Sequence, residues 1–136
     1  MFNFFEMKDN KTSVNQKTAA EYLKFFYPKL RIEIAELSLK GNFAGIIQST
    51  VNYLRSLWLE SKTNIIAHQI KLMHRIYKNG DEYVKDIIEN VFVRSFSNFK
   101  KHGKISQWKV LYQNMPVSFQ LIYNEQRKQD RILFGK

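Results

Sequence analysis

Phe43, Ile46, Ile47, Thr50, Val51, Leu54, Leu57 and Trp58 recur at intervals of three and four, with Gln48, Ser49, Asn52, Arg55 and Ser56 between them. That spacing gathers the first set on one face of an amphipathic helix and turns the second set to water. Ile65, Ile66, Gln69, Ile70, Met73, Ile76 and Tyr77 form a second stripe of the same period. Lys78 closes it, at the negative end of the helix dipole. Val84, Ile87, Ile88, Val91, Phe92, Phe96 and Phe99 form a third stripe, running for more than four turns. Upstream, Thr18-Ala19-Ala20-Glu21 has the form of a capping box ahead of Tyr22, Leu23, Phe26 and Tyr27, so a helix is expected to start there. Pro28 fits the first turn of a new helix or a kink, and Leu30, Ile34 and Leu37 carry the period beyond it. The alternation of Ile32 and Ile34 also offers a strand. Downstream, Ile105, Trp108, Val110, Leu111 and Tyr112 predict a short helix ending near Asn114-Met115, because Pro116 disfavours helix in the residue before it. Val117, Leu121, Ile122 and Tyr123 begin a last helix, which frays as polarity rises from Glu125 onward.

The joints between these stripes decide the fold class. Asn79-Gly80-Asp81 would suit a hairpin tip, but the flanking residues have helical rather than alternating period. Gly80 is therefore expected in the left-handed conformation just past one helix, and Asp81 as the N-cap of the next, with Glu82 in its first turn. Lys40-Gly41-Asn42 repeats that stop and start, Ser61 is expected to cap the helix that follows it, and Lys100, Lys101 and His102 before Gly103 end the long third helix. Long helices joined by two to five residues imply antiparallel neighbours. The expected fold is all-α: an antiparallel helical bundle or a short HEAT-like stack of about five to six helices. Residues 1–17 read as a mobile arm carrying Phe2, Phe4 and Phe5, residues 18–125 as a single helical domain, and residues 126–136 as a basic, frayed tail.

Composition narrows the chemistry. A chain of 136 residues with 44% apolar side chains can bury a core without staples, and the absence of cysteine removes disulfides, thiolate nucleophiles and thiolate zinc sites. The start MFNFFEMKDN lacks the basic and apolar regions of a signal peptide, and no apolar run reaches the roughly 18 residues a membrane span needs. A soluble, cytoplasmic protein with no membrane partner is expected. The formal charge is +10, concentrated in residues 100–136, where eight lysines and arginines face two acids. A positive potential of this kind attracts nucleic acid or an acidic protein without choosing between them.

No residue pattern assigns a catalytic, cofactor-binding or metal-binding residue. Glu82, Asp86 and Glu89 share a face opposite the apolar stripe, so they are expected in water with Lys85 pairing Glu89. His68 and His74 are out of alignment on a helix and His102 falls in a loop, a poor set for a metal. Gly-x-Ser-x-Gly, Gly-x-Gly-x-x-Gly and Gly-x-x-x-x-Gly-Lys are all absent. The feature that stands out is a basic stripe: His68, Lys71, His74, Arg75 and Lys78 lie opposite Ile66, Ile70 and Met73. With Lys100, Lys101 and Lys104 they are the candidate partner-binding residues. The stripe is a plain solvated face, a docking surface for an acidic protein, or a nucleic-acid footprint; no base-reading motif accompanies it.

The capped layout through Gly41-Asn42-Phe43 and Gly80-Asp81-Glu82-Tyr83-Val84, then Phe99 and the ending Trp108…Met115-Pro116…Tyr123, resembles an uncharacterised bacterial family of small all-helical proteins. The resemblance covers roughly residues 18–125 and implies HEAT-type helical layers. Some members of that family belong with polymorphic toxin systems, which implies an immunity or antitoxin-like role: a non-enzymatic module that binds a protein. A nucleic-acid-binding protein using the basic helix face and the basic C-terminal third is the alternative.

Overall fold

The computed structural model describes residues 13–135, which are all-α with seven helices and no strand. Helix α1 is Gln16–Phe26, and α2, Arg31–Leu39, is entered through a 3-10 turn, Pro28–Leu30. Helix α3 is Phe43–Leu59 and α4 is Thr63–Asn79. The helical run 82–101, α5, begins as the α-segment Glu82–Ile87, widens into a π-turn over Ile88–Phe92, tightens into a 3-10 turn over Val93–Ser95 and ends as Phe96–Lys101. Helix α6 is Ile105–Gln113 and α7 is Val117–Phe134. The bundle expectation holds, and Ile32 and Ile34 lie in a helix rather than a strand.

The changes of pitch in α5 follow the spacing of its buried side chains. Val84, Ile88 and Phe92 are buried four residues apart, which an ordinary α-helix would let drift around its axis and a wider π-turn brings back into line. Val93, Phe96 and Phe99 are buried three apart, the repeat of a 3-10 turn. Both triplets therefore face one core. Helix α3 runs through that core, packing on α2, α4 and the π-turn of α5, while α4 also packs on α1 and α6.

Three expected caps are corrected. Helix α1 begins before Thr18: Asn15 is the N-cap and its side chain accepts from the Thr18 amide at 2.9 Å. Ser61 does not cap α4 but closes α3. It sits at φ 59, its amide donates to the Trp58 carbonyl and the Lys62 amide to the Leu57 carbonyl, both at 3.0 Å. Gly41, at φ 66, closes α2 through the same pair of bonds, from Gly41 to Ser38 and from Asn42 to Leu37. Gly80 is not left-handed: at φ −74 and ψ 153 it is extended, because a stretch of backbone is seated beside it. The Val14 amide donates to the Asn79 carbonyl at 2.6 Å, and the Asp81 amide returns a bond to the Val14 carbonyl at 2.8 Å. A Cβ on Gly80 would stand 2.6 Å from Val84 Cγ1, so glycine is there for room and not for handedness. Asp81 is the N-cap expected of it, accepting from the Val84 amide at 2.9 Å.

Val14 is buried and α1 starts at Gln16, so residues 13–17 are part of the body and not of an arm. The expected arm aromatics Phe2, Phe4 and Phe5 lie outside the described residues. At the other end, α7 stays helical to Phe134 where fraying was expected. Among the described residues no helix is long and apolar enough to cross a membrane.

Candidate functional site

Helix α4 positions the candidate surface. Residues 61–80 contain no Asp or Glu, so the helix carries Lys71, Arg75 and Lys78 with no carboxylate of its own. At about 100° per residue, Asn64, His68, Lys71, Arg75 and Lys78 fall in one row about 21 Å long. Burial of Ile66, Ile70, Met73 and Ile76 against the core turns that row outward. His68, Lys71 and Lys78 are exposed and Arg75 is half-buried. Ile65, expected in the inner stripe, is exposed at 44% on the flank of the row, because the core turns its back on that side of the first turn.

His74 is removed from the row. Its Nε2 is hydrogen-bonded to Ser118 Oγ of α7 at 2.6 Å, and its ring stands edge-on to Phe119 with centroids 5.1 Å apart. Partial burial, and then the neighbouring Lys78, hold its pKa below the ordinary value of 6.5. It is an interface residue between α4 and α7. Next to it the Tyr77 hydroxyl donates to Glu89 Oε2 at 2.6 Å. Burial first, and the bond to Glu89 second, push the Tyr77 hydroxyl up to about 12, so it keeps its proton as a donor. The expected Lys85–Glu89 pair is replaced: Glu89 accepts the Tyr77 hydrogen bond, and the Lys85 ammonium lies over the Tyr77 ring at 5.8 Å.

The lysines of the α5–α6 joint come from a different part of the chain, and packing carries them to the end of the molecule where α4 begins. Gln107 Nε2 donates to the Trp58 carbonyl at 3.1 Å, and Gly103 lies on the Trp58 ring with no room for a Cβ. Trp58 is one residue from the end of α3, and α4 starts four residues after that end. Lys100, Lys101 and Lys104, all exposed, therefore share this end with Lys62 and the head of the row. Sequence reading missed what surrounds them: Leu59 and Ile105 are also largely exposed there, at 74% and 77%. Leu59 follows the last buried residue of its helix, which is the one signal that could have found it. The same misreading applies to Val110, Val117 and Leu121, which carry the right spacing but lie exposed.

The surface is thus cationic, acid-free along α4 and studded with aliphatic side chains. Among the described residues no group of three or more His, Asp or Glu side chains is placed to hold a metal ion. A family model described as a domain of unknown function, DUF7674, matches residues 20–129. No curated protein and no solved structure matches the chain.

Proposed function

The chain belongs to the DUF7674 family, and on that premise we propose that it is a non-enzymatic protein-binding module of the immunity or antitoxin kind, working in the bacterial cytoplasm on an acidic partner protein. The observation that carries the reading is the mixed surface at the head of α4, where Leu59, Ile65 and Ile105 stand exposed among Lys104, the basic row and Lys62, the last paired with Glu60 at 3.5 Å. Protein interfaces combine an apolar centre with a charged rim that steers the partner and rejects like-charged competitors. An acidic partner meets no opposing carboxylate along α4.

Nucleic-acid binding is the second reading, favoured by the row itself, since cations one helical turn apart can follow a phosphate backbone. The exposed aliphatics distinguish the two: they add nothing to phosphate contacts and much to a protein interface.

The test is co-expression with the product of the neighbouring gene, followed by affinity purification and calorimetry. A stoichiometric complex is expected, weakened roughly ten- to a hundredfold, about 1.4 to 2.8 kcal/mol, by Lys71→Glu with Lys78→Glu. Leu59→Ser with Ile105→Ser should weaken it as well. Recovery of no partner, or a complex indifferent to all four changes, defeats the proposal. Tight binding to single- or double-stranded nucleic acid that falls steeply with salt and ignores the two serine substitutions selects the second reading.

A further inference from the structure

The last turn of α7 has no counterpart in the protein-binding reading and lies on a different part of the chain. Ile132, Leu133 and Phe134 are consecutive, helical, and exposed at 66%, 71% and 70%. Consecutive helical residues are about 100° apart, so the three side chains point in three directions around the axis. Gly135 then ends the helix at φ 68. A partner's groove is filled by one narrow stripe of a helix, whereas these three side chains spread over about 200° of the axis, wider than one stripe, which suits a medium rather than a groove.

A cationic collar lies behind the cap. Arg127, Lys128 and Arg131 are within seven residues of Phe134. Asp130 does not offset them, because Arg94 Nη1 of α5 holds both its oxygens at 3.0 and 3.2 Å. Glu125 lies further back and accepts from Gln129 Nε2 at 3.0 Å. Arg127, Asp130, Arg131 and Phe134 line an open hollow of about 270 Å³, so two arginines and the aromatic end of the cap share one concavity. Guanidinium forks match phosphate oxygens, and basic side chains near an anionic bilayer each add to the attraction. The family model matches residues 20–129, and the cap follows that stretch.

We propose that the end of α7 docks on the surface of an anionic phospholipid bilayer, with Ile132, Leu133 and Phe134 entering the interface and Arg127 and Arg131 taking headgroup phosphates. The absence of a long apolar run speaks only to spanning; a cap one turn deep needs no such run. One apolar cap and one basic collar together make a reversible anchor.

The experiment is sedimentation of the full chain with vesicles of phosphatidylcholine containing a quarter phosphatidylserine, and with phosphatidylcholine alone. Binding to the anionic vesicles is expected to exceed binding to the neutral ones and to fall at high salt. Leu133→Ser with Phe134→Ser should lower it by about tenfold or more, with helix content by circular dichroism unchanged. Arg127→Gln with Arg131→Gln should remove the preference for anionic lipid. No binding to anionic vesicles, or binding equal in wild type and the serine variant, overturns the proposal. So does a concentration-dependent dimer that the serine variant dissolves, since a second copy would then cover the cap. None of these results bears on Lys71 and Lys78, so the two proposals fail separately.

Discussion

Ser61 and Gly80 have exchanged the conformations their residue types suggest. Ser61 takes the left-handed turn at φ 59 that closes α3, while Gly80 stays extended at φ −74. Left-handed backbone costs an L-residue with a Cβ roughly 1–2 kcal/mol, and a glycine there gives part of the gain back as freedom in the unfolded chain. Ser61→Gly is therefore expected to stabilise the protein by up to about 1 kcal/mol. Gly80→Ala works in the opposite direction for a different reason, since its Cβ would press on Val84 Cγ1 at 2.6 Å and on the Ile76 carbonyl at 3.2 Å. Crowding of that kind costs about 1–3 kcal/mol. Urea unfolding midpoints read both, and a midpoint unmoved by Gly80→Ala would show that the joint can open to admit a methyl group.

Between elements, α4 and α7 meet through a group that titrates. The imidazole of His74 is bonded to Ser118 and set against the edge of Phe119, with Lys78 one turn further along α4. Desolvation and that ammonium favour the neutral ring, so the folded state binds its proton more weakly than the unfolded state does. The sign follows from linkage: this contribution is present in full above the ordinary value of 6.5 and is lost as pH falls through the lowered folded value. Stability measured from pH 8 down to pH 5 should decline across that window, and His74→Gln should flatten the decline. A His74 proton titrating at or above 6.5 by nuclear magnetic resonance would remove the basis for it.

At the scale of the whole molecule, one continuous apolar cluster runs from Val14 to Tyr123, and Phe119 joins three of its helices. Its ring centroid lies 5.4 Å from Tyr77 on α4, and 6.1 and 6.3 Å from Phe92 and Phe96 on α5. Phe119→Ala should cost about 3–5 kcal/mol, a large part of the 5–15 kcal/mol typical of a domain. Because the core is shared, helix content and the fluorescence of Trp58 and Trp108 should be lost in one transition at a lower denaturant concentration. Separate transitions would show that α7 unfolds alone.

The sequence alone determined that the chain is helical, that breaks fall at Gly41, Gly80 and Gly103, and which residues make up most of the core. These properties are local: periodic apolar positions, capping side chains such as Asn42 and Asp81, and a proline at a first turn act within a few residues of one another. Only tertiary structure decided that His74 leaves the basic row for Ser118, since its partner is 44 residues away. Only tertiary structure brought Lys104 to the head of α4 through Trp58, and set Val14 against Gly80 so that a glycine expected to be left-handed is extended. Helical period states that a side chain can face a neighbour; whether a neighbour is there depends on packing. That is why Ile66 is buried while Ile65, Leu121 and the Ile132–Phe134 cap, equally apolar, stand in water.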